Sequence, residues 1–173
     1  MARFKTRGDL EAKFNELGIT TKTIEHQEVF TVEAMMSQPE LQNLKGTAAK
    51  NLFLKDKKKK LWLCSAVHDR NIKLNELAKM VGAPGGLRLA DEEILFDKLG
   101  VKQGCVTAFA LINDTNNDVN FIVDEDLVNG KHEMIYFHPL SNAASTGITP
   151  SDFMKFLDDI NHKPIKVKFE DQT

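Results

Sequence analysis

Residues 46–67 run GTAAKNLFLKDKKKKLWLCSAV. AKNLFLKD and LWLCSAV are two strand-like runs rich in apolar residues. The lysine-rich KDKKKK between them has no apolar content, as an exposed hairpin tip requires. A β-hairpin at this point commits the chain to a sheet, and the flanking segments decide what kind.

Upstream, Asp9 is expected to cap a helix with Leu10, Phe14 and Leu17 on its apolar face and Gly18 at its end. Residues 21–26 look like a short strand, Thr31 is placed to cap a helix that stops before Pro39, and 41–49 is an irregular lead-in. Downstream, Leu74, Leu77, Ala78 and Val81 recur at helical spacing up to Gly82. A turn at APGG, a short strand LRLA and a helix capped by Asp91 and closed by Gly100 follow. VTAFALI and VNFIVDE, joined by NDTNND, are expected to form a second hairpin. MIYF is another strand, Thr149-Pro150-Ser151-Asp152 opens a helix with Phe153, Phe156, Leu157 and Ile160 on one face, and IKVKF closes the chain as a strand. Hairpins and helix-separated strands together predict a mixed sheet in one α/β (α+β) domain over residues 1–173.

The composition agrees, with 42% apolar and 28% charged residues in 173. The formal net charge of −2 excludes a grip on nucleic acid by bulk charge. MARFKTRGDL has no apolar stretch behind it, so no secretory signal is expected, and no apolar run reaches the length of a membrane span. Cys64 and Cys105 lie in apolar runs as buried free thiols, which fits a reducing, cytoplasmic setting.

Several motifs fail on inspection. Asp114, Asn116, Asp118 and Glu125 imitate a calcium loop, but Val119 stands where its sharp turn needs glycine. GAPGG lacks the lysine and hydroxyl of a phosphate loop and follows a helix. The five histidines offer no converging zinc set, and no nucleophile elbow or catalytic cysteine signature is present. No metal or cofactor is expected. Two polar edges remain. Lys50 opens a buried strand, where its ammonium either meets a phosphate or developing oxyanion, or simply snorkels. His138 ends a strand and is held extended by Pro139, with Asn142 nearby, as a pocket wall or a plain loop.

Those two edges carry a resemblance. VFTVE (29–33), GTAAKNLFLKDK (46–57), GVKQGCVTAFALIND (100–114), YFHPLSNAAST (136–146) and the closing SDFMKFLDDINHKPIKV resemble the YbaK-like, prolyl-tRNA-synthetase-associated domain family. Within it the chain looks most like the free-standing deacylases that edit Ala-tRNA(Pro). The resemblance implies a mixed, partly barrel-like sheet surrounded by helices. It also implies hydrolysis of the ester joining a wrong amino acid to the tRNA 3′ end, a second sieve after synthesis. By the same resemblance Lys50 and His138 are the catalytic residues. Phe30, Thr31, Asn51, Gly104, Val106, Thr107, Pro139 and Asn142 line the substrate site. A positioned water, helped by the ribose 2′-hydroxyl, replaces a protein nucleophile. The implied partners are the acceptor end of mischarged tRNA and prolyl-tRNA synthetase. Lys45, Lys50, Lys55 and the Lys57–Lys60 run are the lysines expected to help that contact, with a solvated hairpin tip as the other reading of the Lys57–Lys60 run. Ala108 departs from the family's proline after Val106-Thr107 and puts that loop's shape in question. It motivates a rival reading, a non-catalytic tRNA- or synthetase-binding module; another is a deacylase for Cys- or Ser-tRNA.

Overall fold

A computed structural model describes residues 4–28 and 46–169. The helix expected between Thr31 and Pro39, and the residues Phe30, Thr31 and Lys45, lie outside the described residues. The first helix, α1 (Arg7–Glu16), starts one turn earlier than the sequence implies. Thr6 is its cap, and Asp9 stands three residues in. The Thr6 hydroxyl accepts from the Asp9 N–H while the Asp9 carboxylate accepts from the Thr6 N–H at 2.8 Å, a reciprocal box that satisfies two end donors.

Strand β1 (Lys22–Glu25) is followed by the expected hairpin of β2 (Thr47–Asp56) and β3 (Leu61–Val67), in unbroken antiparallel register from Ala49↔Val67 to Lys55↔Leu61. Its tip is built around Asp56, only 1% exposed. The Asp56 carboxylate accepts from Lys58 N–H, Lys60 N–H and Trp62 Nε1–H. These bonds satisfy a charge that burial would otherwise penalise.

Next come α2 (Leu74–Val81), β4 (Leu87–Leu89) and α3 (Glu92–Leu99). VTAFALI does not form a strand. Ala108–Asn113 is a 3-10 helix capped by the Thr107 hydroxyl, and every residue from Ala108 to Ile112 is buried. An apolar run buried on all sides shows neither helical nor strand periodicity, so pattern could not separate the two. The second hairpin therefore does not exist. Instead β5 (Val119–Asp124) pairs in parallel with β3 and with the closing β8 (Ile165–Val167).

A short α4 (Glu125–Val128) leads to β6 (Ile135–Phe137), β7 (Ala144–Ile148) and α5 (Pro150–Asp159). Neither α4 nor β7 is legible in the sequence; β7 is ASTGI, small residues rather than a strand-like apolar run. The sheet order is β1-β7-β6-β2-β3-β5-β8, with β4 on β2, a mixed eight-stranded sheet as expected.

Helices cover both faces. On one, α1, the 3-10 helix and α5 bury an aromatic cluster in which Phe109 meets Phe14 and Phe137 at 5.2 Å and Phe156 at 5.6 Å between ring centres. On the other, Leu77 and Ala78 of α2 pack on Leu54, Trp62, Cys64 and Ile122.

One feature of the sheet positions the site. Beside β2, opposite β3, lie two partners that do not meet. Parallel β6 pairs only with Thr47 and Ala48, and antiparallel β4 only with Leu54–Asp56. Gly46 permits the β6 approach: its φ is +107°, and a Cβ there would fall 2.0 Å from the Met134 carbonyl oxygen.

Candidate active site

The break beside β2 opens into a cavity of about 340 Å³. Its walls include Lys50, Asn51 and Phe53 from β2, Leu95 from α3, Gly104 from the loop before the 3-10 helix, and His138 from the end of β6. Lys50 and His138, remote in sequence, meet because β6 runs parallel to β2. The register Ala48↔Tyr136, carried two residues further, brings Lys50 level with His138 on the same face.

The Lys50 ammonium donates to the Arg70 carbonyl. Arg70 is itself clamped: Nε donates to Asp124 at 3.0 Å and a terminal nitrogen donates to Asp126. Asp124 is 1% exposed and also accepts from Val67 N–H and Asp126 N–H. The ammonium is thus aimed by a network rooted in a buried carboxylate. The Asn51 side chain faces across the hairpin, where its Oδ1 accepts from the Ser65 hydroxyl.

His138 is half-buried, and its Nδ1–H donates to the Ala144 carbonyl at 3.0 Å. That assignment leaves Nε2 as the acceptor. Burial pushes the imidazole below its usual pKa, against the opposing pull of the Ala144 carbonyl. His138 therefore stands neutral at pH 7. The His26 ring lies 6.4 Å away, with Nε2 accepting from the Ser145 hydroxyl at 2.9 Å. Both imidazoles are thus held by adjacent residues of β7.

Gly104 and Val106 line the cavity. Gly104 has φ +89°, a left-handed turn that suits glycine, and the Cys105 N–H is spent on the Lys102 carbonyl. Thr107, fully buried, stands behind the wall and caps the 3-10 helix by accepting from Phe109 N–H at 3.3 Å. Ala108 takes the first position of that helix, where a missing N–H is tolerated. The Thr107 cap gives the loop its shape without proline. Pro139 and Asn142 are buried behind His138, not among the cavity-lining residues, and the Asn142 N–H donates to the Cys105 sulfur. Leu140 between them has φ +64°, a strained conformation for a branched residue.

Sequence reasoning missed Arg70, Asp124 and His26. Arg70 follows strand β3 and Asp124 ends strand β5, and only the pairing of those strands joins them. No local motif marks either. Neither cysteine offers a thiolate at neutral pH. Burial, with the Asp124 charge, pushes Cys64 up to about 12, and burial raises Cys105, which is half-buried rather than buried as expected. Asp114, first in the calcium-like loop, accepts from Asp118 N–H, Val119 N–H and His162 Nε2 instead.

The model of the aminoacyl-tRNA editing domain family matches residues 26–156, which span every element that builds this cavity. The chain belongs to that family. The Bos taurus prolyl-tRNA synthetase associated domain-containing protein 1 is 49% identical over 98% of this chain and 99% of its own length. The prolyl-tRNA editing protein ProX of Acetoanaerobium sticklandii is 32% identical over 84% of this chain and 87% of its own. A solved structure named provisionally as a trans-editing enzyme for prolyl tRNA synthetase superposes with a TM-score of 0.69 at 18% identity. It covers 98% of this chain and 100% of that one, and it shares the fold. As an aminoacyl-tRNA editing domain, the chain acts on aminoacylated tRNA. Among the described residues no helix is long and apolar enough to cross a membrane.

Proposed function

We propose that the protein is a trans-editing deacylase that hydrolyses the ester of Ala-tRNA(Pro). The observation that carries this reading is the meeting of the Lys50 ammonium, the neutral His138 ring and the Gly104 loop around one cavity in an editing-domain fold. The relatives named for prolyl-tRNA synthetase and prolyl-tRNA editing favour tRNA(Pro) over other tRNAs. Their names also make prolyl-tRNA synthetase the partner to test by pull-down.

An aminoacyl ester is already activated, so positioning and charge stabilisation are enough to cleave it. Water adds to the ester carbon while the bond to the ribose oxygen breaks. The proton leaving the water ends on that oxygen, giving free alanine and free tRNA. The substrate's 2′-hydroxyl assists that proton transfer. Lys50 compensates charge developing near the terminal nucleotide, and His138 Nε2 accepts a hydrogen bond from the aminoacyl end. No protein nucleophile takes part, in keeping with the raised thiol pKa of both cysteines.

The test is a panel of mischarged tRNAs, Ala-tRNA(Pro), Cys-tRNA(Pro) and Ser-tRNA(Ala), given to the wild-type protein and to Lys50→Ala. Hydrolysis led by Ala-tRNA(Pro) and lost in Lys50→Ala is expected. Equal hydrolysis by both proteins removes Lys50 from the mechanism, and binding without turnover makes the protein a docking module.

A further inference from the structure

The backbone of β2 alternates its polar groups between two sides, and four hydrogen bonds fix the phase. Toward β3, Asp56 N–H donates to Lys60 and Ala48 C=O accepts from His68 N–H. Toward the other side, Thr47 N–H donates to the Met134 carbonyl and Phe53 C=O accepts from Ala90 N–H. Asn51 shares the phase of Thr47 and Phe53, so its N–H and C=O both point away from β3. On that side β6 has ended at Ala48 and β4 begins only at Leu54. Among the described residues no strand pairs with Asn51 there, and Asn51 lines the cavity.

In the gap between those two pairings Asn51 presents a donor and an acceptor together, and such a pair has a specific complement. It is one extended amino-acid unit, with its own donor and acceptor on one side. An aminoacyl ester is such a unit: an α-ammonium donor and an ester carbonyl acceptor on adjacent carbons. We propose that the main chain of Asn51 is the aminoacyl-binding element, and that the aminoacyl group docks as a single-residue strand between β6 and β4. The Asn51 C=O accepts from the α-ammonium, and the Asn51 N–H donates to the ester carbonyl. Lys50 and His138 then flank the docked unit, and the Gly104 loop is left to hold the attacking water. The Asn51 side chain, bonded to Ser65, serves to lock the strand rather than to touch the ligand. This placement binds any small α-amino acid through groups every amino acid has. Selectivity is left to the walls, Phe53, Leu95 and Val106.

The inference deepens the proposed deacylase and rests on that reading for its substrate. Two measurements on the full chain test it separately. The first replaces the amide preceding Asn51 by an ester, with the α-hydroxy analogue of asparagine at position 51. This removes the N–H and keeps the side chain. Loss of about 100-fold in kcat/KM on the hydrolysed aminoacyl-tRNA is expected, the scale for one donor to a developing oxyanion. Unchanged kcat/KM overturns the proposal. The second needs no turnover: amide NMR with the non-hydrolysable 3′-alanylamido-3′-deoxyadenosine. A downfield shift of the Asn51 amide is expected. Shifts at His138 and Gly104 with a silent Asn51 overturn the proposal. If the wild-type protein hydrolyses no aminoacyl-tRNA, the deacylase reading fails, and the NMR result alone decides the Asn51 site.

Discussion

Asp124 and Asp114 are two carboxylates at the ends of loops or strands, 1% and 4% exposed, each held by two backbone N–H groups and one cationic or imidazole partner. By burial alone they are equivalent. They differ in where the hydrogen-bond chain leads. From Asp124 it runs through Arg70 to the Lys50 ammonium at the cavity. From Asp114 it ends on His162 and on the turn into β5, neither of which lines that cavity. A buried charge is thus no mark of function by itself; the group at the far end of its network decides.

Substitutions at the two ends should separate cleanly. Lys50→Ala is expected to lower kcat/KM by about 1,000-fold, the effect of removing a group that stabilises transition-state charge, while the thermal melting point stays near the wild type. Asp114→Ala is expected to cost about 3 kcal/mol of stability, as when one partner of a buried pair is removed. Its activity per folded molecule should be intact. Urea melts and single-turnover assays on both variants check this. If Asp114→Ala inactivates the folded protein, the division between the networks is wrong.

Arg70→Lys probes the middle of the first chain. Lysine keeps the charge but cannot bond Asp124 and Asp126 in a fork. About a tenfold fall in kcat with little change in KM is expected if Arg70 aims Lys50, because only the ammonium's position is lost. A purely structural Arg70 would lower the melting point and leave kcat per folded molecule unchanged.

The two regions should also fail at different pH. His138 has its folded pKa below the ordinary 6.5, so the unfolded chain binds more protons. Its contribution is complete above pH 6.5 and declines as pH falls through the lower folded value. Asp114 is opposed by burial but held below 3.8 by His162 and two N–H groups, so its contribution persists to pH 3.8 and declines only below that. Urea melts from pH 7 to 3 should show an early decline that His138→Gln removes and a late one that Asp114→Asn removes. A single acid transition unaffected by His138→Gln would contradict the burial of that ring.

The sequence carried the hairpin, the helix caps and the mixed sheet because those follow from local periodicity and turn chemistry. It did not carry the 3-10 helix, whose uniformly apolar residues have no period, or β7, whose small residues sit in a strand only because β1 and β6 flank them. At the site the split is the same. Lys50, Asn51, Gly104 and His138 came from motifs, and the structure places all four on one cavity. Arg70, Asp124 and His26 act through strand pairing, which no contiguous motif records.

A third buried carboxylate, Asp56, gives the smallest expected effect and the finest test of the comparison. Its network ends on the hairpin tip, so it stands with Asp114 if the tip is only structure and with Asp124 if the tip meets substrate. Among the described residues Lys57, Lys58, Lys59 and Lys60 make no ion pair, whereas Lys55 pairs with Asp91 at 3.5 Å. Asp56 holds the turn, and Lys57 N–H is tied to the Pro84 carbonyl, so the four ammonium groups rise from a fixed base. If this tip touches phosphates, changing Lys57–Lys60 to glutamine should weaken tRNA binding less than tenfold at physiological salt. It should also flatten the plot of log affinity against log salt by about 0.7–0.9 for each phosphate the tip no longer neutralises. Hydrolysis of a short aminoacyl-nucleotide, which does not reach the tip, should be unchanged. An unaltered salt slope on whole tRNA would place Asp56 beside Asp114, as a carboxylate whose network ends in the fold.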